Sequence, residues 1–308
     1  MALRATVIVN PAARRVGADF DGSRITRYLA EHECEPSLVF PGSAEEATAA
    51  AREAASRGED IVFVVGGDGS VRQAALGLAG SETALAAVPA GTVNIWARET
   101  GIPLSIDAAI DAHLNGQFVH MDLGRANDHC FMLMAGVGWD AEIVSRVSKR
   151  LKTATGDLAY VAGAAWMAPR LRPHPARWRT PDRSFEERLA WMVLGNSRLY
   201  GGRLRVTPEA HIDDGEFDVL AACPRRLTDT LRLAAKLLRG RRADPRVLQF
   251  RAAELSLETP GLAVQLDGDY AGETPMTFRI ERRALLVSVP AGPLAPVFGE
   301  QHVDRRKP

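Results

Sequence analysis

Cysteine is scarce: Cys34, Cys130 and Cys223 stand far apart in 308 residues, with no C-x-x-C pair. That excludes a zinc ribbon or a dithiol redox motif and fits small core residues in a reduced compartment. No run approaches the roughly 18–20 apolar residues of a spanning helix. The opening "MALRATVIVNPAARR" places a short strand before Asn10-Pro11, without the apolar stretch and cleavage site of a signal peptide. The expected location is therefore cytoplasmic, with any membrane touched peripherally from its inner face. Neither G-x-x-x-x-G-K-[ST] nor a G-x-G-x-x-G after the first strand occurs, which excludes a Walker loop and a Rossmann fingerprint. Net charge is also missing, because 38 Lys+Arg offset 38 Asp+Glu. The sum hides an asymmetry: residues 1–125 carry 10 basic against 16 acidic side chains, and residues 126–308 carry 28 against 22. The first part suits a polyanion poorly, the second could face an anionic surface, and no nucleic-acid partner is expected.

What the sequence does contain is length for two lobes and an ordinary globular composition, 46% hydrophobic and 25% charged. Its first third alternates strand and helix signals. "ATVIVN" is a β-branched run stopped by Asn10-Pro11, "ITRYLAEH" has helical spacing, and "SLVF" is a second strand. Ser43 with Glu45 and Glu46 marks a helix start, and Gly58 its end. "DIVFVV", "VRQAALGLAG", "LAAVPAG" and "NIWARETG" continue the alternation. This order predicts a doubly wound α/β lobe over 1–125, with a parallel sheet and ligands at the carboxyl ends of its strands. From residue 126 to 291 short strands parted by turns predict a mainly antiparallel, β-sandwich-like lobe, among them "MTFRIER" and "LLVSVP". The Pro- and Arg-rich stretch 168–184 reads as a surface connection, and residues 292–308 as a tail packing back on the first lobe.

Directly after the apolar run "DIVFVV" stands "GGDGS": Gly66, Gly67, Asp68, Gly69 and Ser70. Glycines let the backbone approach a ligand closely, and a helix beginning just beyond presents unpaired amides to an anion. A plain turn and a phosphate cradle both satisfy this spacing. About 25 residues on, "PAGTVNIWARETGIP" repeats the strand, Gly-turn, helix passage, with Thr92 and Asn94 as short polar side chains at the helix start. Those two could bind a ligand or simply cap the helix. In the second lobe, "HIDDGEF" and "LDGD" place carboxylates in turns, where an Asp-Gly turn is the plain alternative.

Taken in order, "NP" after the first strand, "GGDGS", "PAGTVNIWAR", "FMLMAGVGWDAEIV", "NSRLYGGRLRVTPEAHIDDGEFDV" and "LDGDYAGETPMTFRIERRALLVSVP" resemble the motifs of the bacterial diacylglycerol kinase-like lipid kinases. The likeness runs from about residue 5 to 291. It implies an ATP- and Mg²⁺-dependent kinase that transfers the γ-phosphate to a lipid hydroxyl at a membrane surface, diacylglycerol or a similar lipid, with ATP and lipid meeting in a cleft. By the same resemblance Asn10, Pro11, Gly66, Gly67, Asp68, Gly69, Ser70, Arg72, Thr92 and Asn94 hold the nucleotide. Asp68 lies near the catalytic metal, Asp269 is the general base with Asp267 as a second carboxylate, and His211, Asp214 and Glu216 mark a structural Mg²⁺ site. The chain departs from the family pattern at Arg72, where Asn is usual, at Ile95, where Asp often follows Asn94, and at Asp269, where Glu is common. An arginine at position 72 could pair with a phosphate.

Residues 224–242, "PRRLTDTLRLAAKLLRGRR", space Leu227, Leu231, Ala234, Ala235 and Leu238 on one helical face with basic residues around it. Such a helix either lies on anionic lipid or packs on the second lobe with a solvated rim. An unpaired strand edge in that lobe would allow a homodimer. Two further readings share the Gly-Asp loop: an NAD kinase-type enzyme accepting a soluble dinucleotide, and a catalytically weak nucleotide-binding regulator.

Overall fold

The computed structural model describes residues 2–17, 20–146, 173–201, 204–224, 229, 232, 233, 236 and 244–299. Most of the basic stretch 224–242 and the segment 156–168 lie outside the described residues. The chain forms two compact units: Met1–Leu123 with Ile212–Asp214 and Arg282–Pro308, and Gly124–His211 with Gly215–Glu281. The first unit is thus discontinuous in sequence, whereas the sequence suggested contiguous lobes.

In the first unit the order is β1 (Leu3–Val9), α1 (Gly22–Glu31), β2 (Cys34–Val39), α2 (Ala44–Ser56), β3 (Ile61–Gly66), α3 (Asp68–Leu78), β4 (Ala84–Pro89), α4 (Ile95–Thr100), α5 (Ile106–Leu114) and most of β5 (Gln117–Ala126). The sheet runs β2-β1-β3-β4 with every pair parallel. Strands β3 and β4 are buried along their whole length, which is why they read as unbroken apolar runs. Helix α2 starts as expected: the Ser43 hydroxyl accepts from the Glu46 amide at 3.2 Å, and Glu46 reaches back to the Gly42 amide at 2.7 Å. Helix α3 begins three residues earlier than expected, at Asp68 inside the glycine loop, with Gly67 as its N-cap.

The second unit continues with β6 (His129–Phe131), β7 (Met134–Gly138), α6 (Trp139–Arg146), β8 (His174–Arg179), β9 (Ser184–Leu189), β10 (Trp191–Gly195), β11 (Leu199–Tyr200), β12 (Leu204–Arg205), β13 (Phe217–Ala222), β14 (Val247–Ala252), β15 (Glu254–Leu257), β16 (Ala263–Leu266), β17 (Asp269–Glu273) and the first part of β18 (Met276–Val289). One antiparallel layer runs β14-β13-β10-β7-β16-β17. Strands β18, β15, β8 and β9 form the other. Between them lies a core in which Phe131 and Phe217 stack at 5.5 Å beside Trp178, Leu255 and Phe278. This is a β-sandwich-like domain, in accord with its alternating short strands.

Two local expectations fail. Within 168–184, residues 174–179 form a strand paired with 184–189 and are not surface connection, because Pro175 falls where β15 no longer pairs with β8 and no donor is needed there. "MTFRIER" and "LLVSVP" form one 14-residue strand, β18. Charged residues at its middle disguise the continuity, and Arg283, at φ 52°, gives its amide to Asp122 at 2.7 Å. The tail to residue 299 belongs to the first unit, where Val297 accepts from the Ile212 amide at 2.9 Å and Asp213 from the Gly299 amide at 2.7 Å.

His113 shows how tightly the first unit is tied. It is fully buried, with Nε2 2.9 Å from the Ala87 carbonyl and Nδ1 2.9 Å from the Ser288 hydroxyl. A carbonyl only accepts, so Nε2 carries a proton, and burial disfavours a second one on Nδ1, which then accepts from Ser288 in a neutral ring. Burial pushes its pKa down to about 4. The unfolded chain therefore binds a proton near pH 6.5 that the folded chain refuses until about pH 4, and stability drains as pH falls through that window. At about 1.4 kcal/mol per pH unit the loss is about 3 kcal/mol. Urea unfolding between pH 7 and pH 4 is expected to show that much extra loss in the wild type relative to His113→Met, which is less stable at pH 7 but flatter. Equal slopes would contradict it.

Candidate functional site

In the first unit, three loops leave the carboxyl ends of β1, β3 and β4 and are knitted together. The Asn10 amide donates to Val65 O at 3.0 Å, Ala90 N to Gly66 O at 2.8 Å, and Arg15 N to Ala90 O at 3.1 Å. Asn10 Nδ2 donates to the Ser70 hydroxyl at 2.8 Å, while its Oδ1 accepts from the Ala12 amide at 2.9 Å. The glycines are needed for closeness: a Cβ on Gly91 would lie 2.6 Å from Gly67 Cα, and one on Gly66 would lie 2.5 Å from the Ser70 side chain. Around Gly69, by contrast, no atom lies within 4 Å of where a side chain would begin.

Asp68 joins two of these loops. Its Oδ2 accepts from the Ile95 amide and its Oδ1 from the Trp96 amide, each at 3.0 Å. These are orphan donors in the first turn of α4, so Asp68 caps that helix from a distance. Burial raises the pKa of this carboxyl above the ordinary carboxylate value, against the lowering effect of the two amides. Asn94 occupies the N-cap position of α4 in the left-handed region, φ 52°, but its side chain makes no cap bond. It clasps Gly91 instead, accepting from its amide and donating to its carbonyl, both at 3.0 Å. Thr92 is exposed at the loop, Pro11 follows Asn10 at the end of β1, and Arg72 sits half-buried one turn into α3. The structure thus brings Asn10, Gly66, Gly67, Asp68, Ser70 and Asn94 together, with Pro11, Gly69, Arg72 and Thr92 on the same chain segments; Gly91 was missed, although its place in "PAG" before a helix marks a tight turn.

In the second unit, β16 and β17 form a hairpin whose two turn residues, Asp267 (φ 50°) and Gly268 (φ 84°), both take positive φ. Asp-Gly suits such a two-residue turn. The Asp267 carboxylate accepts from the amides of Met132 at 2.8 Å, Leu133 at 2.9 Å and Met134 at 3.0 Å, and its own amide donates to Met134 O at 3.0 Å. Asp267 is therefore a clamp on the segment before β7. Asp269, half-buried, begins β17 immediately after the turn, and Tyr270 beside it is exposed.

The residues suggested for a second metal site, His211, Asp214 and Glu216, lie in the short segment that leads into β13. His211 and Glu216 belong to the second unit and Asp214 to the first. Glu216 pairs with Arg251 at 3.4 Å. Among the described residues no group of three or more His, Cys, Asp or Glu is gathered to hold a metal ion.

Sequence reasoning also passed over a buried network in the second unit. Asp140 Oδ2 accepts from the Tyr200 hydroxyl at 2.8 Å and from Gln265 Nε2 at 3.1 Å, and Gln265 Oε1 accepts from the Gly268 amide at 2.6 Å. The signal was a lone Asp closing the apolar run "FMLMAGVGW".

Comparison with known proteins agrees with this architecture. Residues 4–126 match the diacylglycerol kinase catalytic domain family, and residues 134–289 match the YegS C-terminal NAD kinase beta sandwich-like domain. The chain is 30% identical over 280 residues to the diacylglycerol kinase of Bacillus subtilis (strain 168), covering 89% of this chain and 92% of that one. It is 34% identical over 262 residues to the diacylglycerol kinase of Mycobacterium tuberculosis (strain CDC 1551 / Oshkosh), covering 82% and 84%. A solved structure from Bacillus anthracis str. Sterne shares the fold, with a TM-score of 0.79 at 22% identity over 94% of this chain and 97% of that one. With both of its domains matched in order and these relatives aligned over most of their length, the chain belongs to the bacterial diacylglycerol kinase-like family of lipid kinases.

Proposed function

We propose that the protein transfers the γ-phosphate of ATP to the hydroxyl of diacylglycerol or a similar lipid at a membrane surface, leaving ADP and a phosphatidate-like product. The observation that carries this reading is the knot of three loops at the ends of β1, β3 and β4, drawn together by Asp68 and by the Gly67–Gly91 approach. Glycine backbone with open space at Gly69 and the exposed Thr92 suit a polyphosphate, which binds largely through backbone amides and short hydroxyls. No described helix is long and apolar enough to cross a membrane.

Asp68 is suited to a divalent cation. Its two amide bonds occupy about half of the roughly four lone-pair sites of a carboxylate. Burial also makes its negative charge costly unless a cation arrives. Hard oxygen ligands of this kind suit Mg²⁺, which when bound neutralises charge on phosphate oxygens. Asp269 acts on the acceptor: as the hydroxyl oxygen bonds to the γ-phosphorus and the bond to the bridging oxygen of ADP breaks, its carboxylate takes the hydroxyl proton. Asp267 keeps the turn that presents Asp269 locked to residues 132–134.

Two substitutions test the two halves. Asp269→Asn is expected to lower lipid phosphorylation by about 100-fold or more while leaving the ATP dissociation constant within about twofold. Normal turnover of diacylglycerol in mixed micelles by that variant would remove Asp269 from the role. Gly91→Ala forces a methyl into the space of Gly67 and is expected to cost about 1–3 kcal/mol of stability and to weaken ATP binding measured by calorimetry. Gly69→Ala, which meets nothing outside its own helical turn, should not lower the melting temperature. Unaltered ATP affinity in a folded Gly91→Ala protein would sink the loop assignment.

A further inference from the structure

The turn that carries Asp269 is gripped twice. One grip is Asp267 on the amides of residues 132–134. The other starts at Asp140 on α6, passes through Gln265 on β16, and ends on the amide of Gly268, the residue before Asp269. Gln265 is 2% exposed and Asp140 is 6% exposed, so neither is placed there for solvation. Burying an ionisable group and a primary amide costs several kcal/mol unless both are paired, and apolar residues would have packed the same space more cheaply.

Room for the contact is made by Gly136 on β7, the residue opposite Gln265 in the sheet. A Cβ at that position would lie 1.9 Å from Asp140 Oδ2 and 2.4 Å from Gln265 Nε2. Tyr200 adds a second donor to the same carboxylate oxygen, and its ring lies edge-on to Trp191 at 5.8 Å.

The polarity of this chain is fixed. The Gly268 amide can only donate, so the Gln265 oxygen must face it and the Gln265 nitrogen must face away. An acceptor is then required at the far side, and Asp140 supplies it. Without it, the carboxamide nitrogen is left buried with no acceptor, and the bond to Gly268 loses its support.

We propose that Asp140 is a positioning residue for the acceptor-side carboxylate: acting through Gln265, it sets the orientation of the 267–268 turn and hence of Asp269. The proposal rests on the reading of Asp269 as the base. A misplacement of about 1 Å at a reacting group is enough to cost about 100-fold in rate, and a two-residue turn has no slack to absorb it.

The test uses the full-length protein with Gln265→Leu, Asp140→Leu and Asp140→Asn. Amide hydrogen exchange of the peptide spanning 265–270 is followed well below the melting temperature, beside kcat and KM for ATP and for diacylglycerol in mixed micelles. In both leucine variants the turn is expected to exchange faster by about tenfold, and kcat to fall by about 100-fold with KM for ATP unchanged. Asp140→Asn keeps an acceptor oxygen and is expected to recover most of both. Gln265→Leu covers the case in which Asp140→Leu fails to fold. Unchanged exchange at the turn, or a loss that appears in KM for ATP and not in kcat, overturns the proposal. A wild type that phosphorylates no lipid would instead sink the proposed function, and the exchange measurement alone would then decide whether Asp140 controls the turn.

Discussion

Much of the first unit's candidate site depends on one carboxylate meeting two amides. Asp68 stands at the start of α3 and accepts from the first turn of α4, so two helices that follow different strands begin at a common point. That contact requires the loops to touch, and they touch because Gly67 and Gly91 have no side chains to keep them apart. Asn94, in a left-handed conformation, closes the second loop on itself. Charge, sterics and backbone conformation therefore depend on one another: removing any one of them loosens the contact between the loops that follow β3 and β4, whose strands stay paired.

The second unit repeats the device with different residues. Asp267 is also an Asp-Gly carboxylate whose oxygens are committed to backbone amides. An acidic residue in a glycine-rich turn is thus a clamp first. In Asp68 the clamp and a metal-facing role are compatible because a carboxylate has lone pairs to spare. Under the proposed function, the second unit divides the two tasks between Asp267, which holds, and Asp269, which is held.

This division explains what could be read from the sequence. Fully buried parallel strands write themselves as apolar runs, so β3, β4 and the loops after them were legible, as was α2 from Ser43 and its acidic partner. The family followed from the order of the motifs. Pairing was harder to see. The proline at position 175 looks like a breaker, yet it lies where β8 has lost one neighbour. The charged middle of β18 looks like a boundary, yet the strand continues through Arg283. Partners distant in sequence were also hidden: nothing local to Asp68 announces the amides of residues 95 and 96, and nothing local to Asp140 announces Gln265, 125 residues away. The helix cap that Thr92 or Asn94 could have supplied comes from Asp68 for the same reason.

The central claim is that these clamped turns serve phosphoryl transfer from ATP to a lipid. It is tested most directly by incubating the purified protein with γ-labelled ATP, Mg²⁺, a panel of lipids that includes diacylglycerol in mixed micelles, and NAD in the same reaction. The account predicts label in the lipid phase, in a product that co-migrates with a phosphatidate-like lipid. Label on NAD, or bound ATP with no transfer to any acceptor, would contradict it.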